Sequence, residues 1–180
     1  MTQLQRRSLL AAGLAGGAAA LLTPLKALAD LPARNLAVLN LHTGERLQAV
    51  YWESGVYVAD ALSAFDKVLR DHRTGEVHAI APGLLDLAVA LSDRLGLRET
   101  VQIISGYRSP QTNSMLHAAS SGVATRSLHM EGRALDIRMQ GVDLARLRDT
   151  AWSLQQGGVG FYPGSDFVHI DVGRVRRWNG

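Results

Sequence analysis

The chain has 180 residues, enough for one globular domain but too few for two, and 47% of them are hydrophobic and 19% charged. It contains no cysteine, which excludes disulfide bonds, thiolate nucleophiles and sulfur-based metal sites, so any metal ion must be held by His, Asp or Glu. The formal net charge of +3 arises from residues 1–29. Residues 30–180 contain equal numbers of basic and acidic side chains, so their charge gives no electrostatic case for nucleic-acid binding.

Residues 1–29 have the pattern of an export signal. Arg6 and Arg7 precede an apolar stretch rich in Gly and Ala, no acidic residue occurs before Asp30, and an Ala-Leu-Ala sequence supplies a cleavage site. The paired arginines resemble the twin-arginine signal, whose pathway exports folded proteins. The alternative is a retained membrane anchor, but the apolar stretch is shorter than the roughly 20 residues that a spanning helix needs. We therefore expect a mature domain at 30–180, located in the periplasm without a stable membrane span.

The first elements of that domain are predicted to be a β-hairpin and two helices. Residues 35–40 and 46–52 are β-prone and flank a turn that contains Gly44. Apolar residues then recur at helical spacing over 59–69, and again in a second helix that begins at Pro82. We expect these two helices to cover one face of a sheet.

The second half of the chain predicts further strands interleaved with helices. Ser109 and Pro110 supply an N-cap and a first-turn proline for one of these helices. The predicted strands lie at 101–105, 134–138, 159–162 and 167–172, and the predicted helices at 110–119 and 144–156. Because most strands pair through hairpins, the expected fold class is α+β, a single domain with a mainly antiparallel sheet flanked by helices.

Three side chains in two segments, 127–136 and 166–171, suggest a metal site. Asp136 and His169 each alternate with apolar neighbours along a predicted strand, so both side chains can emerge from one polar face of the sheet. His129 precedes the first of these strands, in a stretch with Gly132, where the backbone can bend. Two imidazoles and one carboxylate leave a fourth zinc position open for water, as in catalytic sites. A chance coincidence of these residue types is the alternative.

The motif S-x-H-x-x-G-x-A-x-D, which runs without a gap from Ser127 to Asp136, resembles the metal motif of the D-Ala-D-Ala metallopeptidases and hedgehog-related (LAS-type) enzymes that act on bacterial cell walls. Further resemblance lies at 105–109 and 167–173. The segments 40–45 and 69–76 are similar to the murein endopeptidase branch of this family. The resemblance covers nearly the whole mature chain and implies a hedgehog/D-Ala-D-Ala peptidase-like fold.

The resemblance also implies roles for individual residues. The metal ligands of the family fall on His129, Asp136 and His169, which implies one Zn²⁺ per chain. The arginine of the family that contacts the substrate carbonyl or the developing oxyanion falls on Arg108.

The general base is predicted less directly. Many relatives have a Glu three residues before the last ligand, in an E-x-W-H pattern, where this chain has Asp166 and then Val168. Asp166 has the spacing of a base, and its alternative role is to cap a turn. Asp171 is a second candidate, and its alternative role is to orient a ligand. Glu131, although it lies within the metal motif, is expected to be solvated.

The other histidines and the basic tail are expected to be peripheral. His42, His72 and His78 occur in polar, turn-like sequence and are interpreted as loop residues, whereas His117 follows Ser109 on a helix closer to the proposed site. The arginines near the C-terminus fit either a solvated strand edge or a site for an anionic polymer; they are Arg174, Arg176 and Arg177.

The expected function is that of a zinc endopeptidase that hydrolyses peptide cross-links between murein strands, with a peptidoglycan peptide as its substrate. A carboxypeptidase that trims a stem peptide is the alternative within the same chemistry. A zinc-containing cell-wall binding module without turnover and a metal-free structural protein are the alternatives from other classes. The oligomeric state stays open.

Overall fold

The computed structural model describes residues 31–97, 99–120 and 122–180, so the predicted export signal lies outside the described residues. None of the helices in these ranges is long and apolar enough to cross a membrane. In chain order the elements are β1 (Arg34–Asn40), β2 (Arg46–Glu53), β3 (Val56–Tyr57), α1 (Ala59–Val68), α2 (Pro82–Leu95), β4 (Val101–Ser105), α3 (Pro110–Ala119), β5 (Ala134–Met139), α4 (Leu144–Leu154), β6 (Gly158–Tyr162), β7 (Phe167–Asp171) and β8 (Arg176–Asn179). Two short 3₁₀ helices lie at Leu128–Glu131 and Pro163–Ser165.

The strands form one eight-stranded sheet with the order β3-β2-β1-β4-β5-β7-β6-β8. All neighbouring strands are antiparallel except the pairs β1/β4 and β6/β8, which are parallel. The predicted α+β class and mainly antiparallel sheet are therefore confirmed. The two parallel pairs were not predicted, because no hairpin joins their strands and no strand was predicted at β8.

Three helices cover one face of this sheet and enclose the core. Helix α1 packs on β2, α2 packs on β1 and against α4, and α4 packs on β5, β6 and β7. Leu135 and Ile137 of β5 and Val168 and Ile170 of β7 are fully buried in this core. Burying each of these side chains contributes on the order of 1.5–3 kcal/mol to folding. The residues that alternate with them therefore face the opposite, polar side of the sheet.

The helix ends follow from local residues. Ser109 accepts a hydrogen bond from the backbone N–H of Thr112 at 3.2 Å, as expected for the N-cap of α3. Helix α4 begins after Asp143, whose carboxylate accepts from two backbone N–H groups of the first turn. It ends at Leu154, two residues before the predicted end, because Gln155 adopts a left-handed conformation with φ 53°.

A β-bulge in β4 shapes the polar face of the sheet. Ile103 pairs with Ile137, but the next paired residue of β4 is Ser105, which lies opposite Asp136. The extra residue shifts the alternation of β4, so that Ser105 faces the same side as Asp136.

Candidate active site

The three predicted ligands meet on the polar face of the sheet. Asp136 of β5 and His169 of β7 are directly paired residues of neighbouring strands. His129 lies in the 3₁₀ helix before β5, which ends at Gly132 with φ 63°. A Cβ atom on residue 132 would lie 2.1 Å from the carbonyl oxygen of Ala79, so only glycine fits this turn.

Hydrogen bonds define which ring atoms of the two histidines face the cluster. Nδ1 of His129 lies 2.7 Å from the carbonyl oxygen of Gly106 and donates to it, which leaves Nε2 as a lone-pair donor. Nε2 of His169 lies 3.1 Å from Oδ2 of Asp171 and donates to it, which leaves Nδ1 as a lone-pair donor. Both free nitrogens point toward Oδ1 of Asp136.

These three atoms form a compact triangle. The distances are 3.2 Å from Nε2 of His129 to Oδ1 of Asp136, 3.2 Å between the two ring nitrogens, and 2.9 Å from Nδ1 of His169 to Oδ1. The residues are 1%, 2% and 8% exposed for His129, Asp136 and His169. Donor atoms at 2.0–2.1 Å from one tetrahedral ion are about 3.4 Å apart, close to these separations. Three buried ligand atoms that converge in this way fit a metal ion between them.

Burial and mutual contacts shift the pKa values of all three side chains in the cluster. Burial lowers the pKa of His129, which keeps its imidazole neutral. Burial alone would raise the pKa of Asp136, but the contacts with His129 and His169 outweigh it, and the pKa lies well below its ordinary value. The imidazole of His129 and the carboxylate of Asp136 are therefore held in their metal-binding protonation states. Burial lowers the pKa of His169, but its hydrogen bonds with Asp136 and Asp171 outweigh burial and the pKa lies above its ordinary value, so a metal ion at Nδ1 has to displace a proton.

Asp171 is a buried carboxylate that orients His169. Its Oδ1 accepts from the backbone N–H groups of Gly158 and Gly173 at 3.0 and 2.8 Å, and from Arg176 at 3.1 Å. Its Oδ2 accepts from His169 and, at 2.7 Å, from Arg176. Burial raises the pKa of Asp171, but these hydrogen bonds outweigh it and the pKa falls below its ordinary value. The geometry fits the ligand-orienting role of Asp171 better than that of a base, because both oxygens are engaged.

Arg108 lies beside the cluster and is bound to it. Its guanidinium forms an ion pair with Oδ2 of Asp136 and donates through Nε to Oγ of Ser105 at 2.8 Å. The β-bulge that turns Ser105 toward this face therefore also fixes the arginine. Arg108 compensates the charge of Asp136 while it lines the cavity above the trio.

Asp166 is not brought into the cluster. Its side chain is 64% exposed, forms an ion pair with Arg138, and is not among the residues that line the cavity. The residue adopts a left-handed conformation with φ 54° at the end of the 3₁₀ helix Pro163–Ser165. Both roles predicted for it, a base and a turn cap, remain compatible with this position.

A cavity of about 530 Å³ opens above the three ligands. One wall is built by Trp178, whose ring centroid lies 5.2 Å from that of His169 and whose Nε1 donates to Tyr162 at 2.9 Å. A Cβ atom on Gly160 would lie 2.7 Å from the indole, so the glycine lets the ring pack flat on β6. Arg176 stacks on the same indole at 4.9 Å. The sequence did not reveal this wall, because the β6/β8 pairing that creates it is parallel and non-local.

The remaining histidines occupy different surroundings. His42 lines the cavity, and the ring of His72 stacks on the ring of His42 with centroids 3.8 Å apart. His78 stacks on Tyr107. The exposed His117 does not line the cavity, but its Nδ1 lies 2.6 Å from the backbone carbonyl oxygen of Val123, which does line it. Among these histidines sequence reasoning ranked His117 nearest to the site, whereas His42 lines the cavity. Glu131 is exposed and pairs with Arg133 at 2.9 Å, as its predicted solvation implies.

Comparisons with known proteins identify the family of this chain. The family model described as peptidoglycan L,D-endopeptidase MepK matches residues 29–178. MepK of Escherichia coli strain K12 is 45% identical over 175 residues, which cover 96% of each chain. The probable MepK of Haemophilus influenzae is 39% identical over 180 residues, 99% of this chain and 97% of the relative. No solved structure matches the chain.

The protein is an α+β domain with a buried cluster of two histidines and one aspartate on the polar face of its sheet. This fold and the family match together define its class as a peptidase. The chain belongs to the peptidoglycan L,D-endopeptidase MepK family, which is the murein endopeptidase branch that its motifs resemble.

Proposed function

We propose that this chain is a zinc-dependent peptidoglycan endopeptidase that cleaves L,D peptide cross-links. The observation that carries the proposal is the convergence of three buried lone pairs, from His129, Asp136 and His169, at the base of a cavity large enough for a peptide. The names of the relatives supply the substrate and the bond. Two imidazoles and one carboxylate with an open position favour zinc over other divalent ions.

The residues of the chain prepare this site for hydrolysis. Zinc supplies, when bound, an activated water molecule and polarisation of the scissile carbonyl group. Asp171 keeps the proton of His169 on Nε2 and so keeps Nδ1 available as a ligand atom. Arg108 balances the charge of Asp136 and places a cation at the cavity wall, where it can stabilise negative charge that develops on the substrate carbonyl oxygen.

Asp166 is our candidate for the general base. It lies three residues before His169, the spacing at which many relatives carry a Glu. The proposal requires its carboxylate to leave Arg138 when substrate binds, and the exposure of both side chains makes that exchange inexpensive.

A carboxypeptidase is the second candidate function. Cationic side chains line the cavity, and a carboxypeptidase has to bind the free carboxylate at the end of its substrate. The two functions differ in their products, because an endopeptidase separates cross-linked dimers whereas a carboxypeptidase shortens monomers by one residue.

We further propose that residues 1–29 direct export to the periplasm, where peptidoglycan is accessible. The paired arginines before the apolar stretch favour the twin-arginine route, which would carry the domain in its folded state. The mature protein should therefore begin at Asp30, and N-terminal sequencing of protein from the periplasmic fraction tests this start.

The test of the function is digestion of purified peptidoglycan by the mature protein, followed by mass spectrometry of the muropeptides. We expect loss of cross-linked dimers and gain of intact monomers, and loss of this activity with a chelator or in His169→Ala. His78→Ala is the matched control, because His78 is exposed and lies outside the cavity lining. Monomers shortened by one residue would favour the carboxypeptidase, and the absence of any chelator-sensitive product would reject both enzymes.

A further inference from the structure

Two turns at the edge of the cavity are near copies of each other. The segments 40–45 and 71–76 share a Thr-Gly-Glu ending, and each begins with a residue that has a side-chain oxygen acceptor, Asn40 or Asp71. Oδ1 of Asn40 accepts from the backbone N–H groups two and three residues later at 3.0 and 3.3 Å. Oδ1 of Asp71 accepts from the equivalent groups at 2.8 and 3.4 Å. The same backbone geometry is thus built twice.

The remaining hydrogen bonds of the two turns also correspond. Gly44 and Gly75 donate to the first residue of their turn at 2.9 and 2.8 Å, and both adopt positive φ, 74° and 76°. The glutamate N–H of each turn donates to the threonine hydroxyl at 3.3 Å. The third position of each turn is therefore equivalent, and it is occupied by His42 in the first turn and by Arg73 in the second. Both of these side chains line the cavity.

The turns are anchored to each other and to the metal site. The ring of His42 stacks on that of His72, with centroids 3.8 Å apart and planes 10° from parallel. Oδ2 of Asp71 accepts from the backbone N–H and the hydroxyl of Ser109 at 2.8 and 2.7 Å. Ser109 directly follows Arg108, which is bound to the ligand Asp136. The backbone that carries Arg73 therefore has a fixed position relative to the metal ligands.

The arginines that line the cavity fall into two kinds. Arg108 and Arg176 are bound to the buried carboxylates of the site. Arg73 and Arg126 are exposed, and neither forms a salt bridge within residues 31–97, 99–120 and 122–180. The only carboxylate in the described lining is that of Asp136. The cavity therefore presents two cations whose charge the described residues do not compensate, above a site that binds a peptide.

We propose that Arg73 and Arg126 bind a carboxylate of the substrate and so determine specificity, with Arg73 held in place by the paired turns. The proposal rests on the proposed peptidase function and adds the class of substrate, a peptide that carries a free carboxylate near the scissile bond. Arginine suits this role because its guanidinium binds a carboxylate through two parallel hydrogen bonds. The carboxylate is either the C-terminal one or a side-chain one, and the two sources are separable by chemistry.

The experiment uses three synthetic cross-linked peptides and the zinc-loaded mature protein. One peptide has free carboxylates, one has its C-terminal carboxylates converted to amides, and one has the side-chain carboxylate nearest the scissile bond converted to an amide. Arg73→Gln and Arg126→Gln are compared with wild type and with Arg94→Gln, an exposed arginine outside the cavity. We expect wild type to favour the free acid over one of the two amides, which identifies the carboxylate that is bound.

We expect each cavity variant to raise KM for the free acid by about tenfold, the effect of one charged hydrogen-bond pair, with little change in kcat. The preference for the free acid over the discriminating amide should fall by about the same factor in both variants and persist in Arg94→Gln. Equal cleavage of all three peptides by wild type, or unchanged discrimination in the variants, would overturn the proposal while leaving the peptidase function intact. Failure of wild type to cleave any peptide would instead count against the proposed function and this proposal together.

Discussion

Replacement of Asp171 by Asn tests how the fold prepares His169 to bind metal. The variant keeps Oδ1, which accepts from two backbone N–H groups and from Arg176. It replaces Oδ2 by an NH₂ group, which donates where the carboxylate accepted from His169 and Arg176. The imidazole must then accept at Nε2 and carry its proton on Nδ1, the atom that faces Asp136 and His129.

The magnitude follows from the contacts that are lost. Loss of an orienting partner of a ligand histidine costs about 10–100-fold in metal affinity, or about 1.4–2.7 kcal/mol. The zinc-free variant should also be less stable by about 2 kcal/mol, since the buried end of the ion pair with Arg176 loses its charge. Arg176 is partly exposed, and solvent screening limits that loss.

The assay is competitive zinc titration of the mature protein against a chromophoric chelator, together with ¹⁵N NMR of the His169 ring. Arg176→Gln is the matched variant, because it removes the ion pair but keeps the hydrogen bond from His169 to Asp171. We expect Asp171→Asn to weaken zinc binding far more than Arg176→Gln does, with the ring proton moved to Nδ1. Zinc affinity equal to that of wild type in Asp171→Asn would refute the orienting role.

Three further predictions follow from single residues. Burial raises the pKa of Asp71, but hydrogen bonds outweigh burial and the pKa lies below its ordinary value, so the stability that Asp71 contributes is present above about pH 4 and is lost as the pH falls further. Asp71→Asn should lower the free energy of unfolding at pH 7 by about 1–3 kcal/mol and reduce its acid dependence in denaturant titrations. An unchanged pH profile would contradict this. Gly132→Ala should weaken zinc binding and lower the melting temperature, because the added Cβ would lie 2.1 Å from a backbone oxygen. Gly141→Ala, at φ 74° in open space, should lower the free energy of unfolding only by the cost of the left-handed backbone, about 1 kcal/mol. Asp166→Asn should lower kcat by about 10²–10⁴-fold with unchanged zinc affinity, and Asp149→Asn should leave kcat unchanged; wild-type turnover in Asp166→Asn would assign the base elsewhere.

The sequence predicted the parts of the fold and site that depend on local pattern. The alternation of Asp136 and His169 with apolar neighbours placed both side chains on one sheet face, and the register of β5 and β7 makes them directly paired residues. The caps at Ser109 and the turn at Gly44 were likewise predicted, because the cap hydrogen bond and the positive φ each depend on residues close in sequence.

The parts that were missed depend on pairing between distant residues. The Trp178 wall requires parallel pairing of β8 with β6, and the carboxylate that Arg176 binds lies on β7. The sequence alone indicates a solvated edge or a site for an anionic polymer at the tail arginines, whereas Arg176 holds the buried Asp171 in place. The likeness of the segments 40–45 and 71–76 is visible in the sequence, but the stacking that joins the two turns is not.

The most direct measurement of the central claim is a crystal structure of the zinc-loaded mature protein with anomalous data collected at the zinc edge. We expect one strong anomalous peak per chain, about 2.0–2.1 Å from Nε2 of His129, Nδ1 of His169 and Oδ1 of Asp136, and its loss in His169→Ala. A zinc ion bound elsewhere, or no peak at these three atoms in protein that cleaves peptidoglycan, would contradict it.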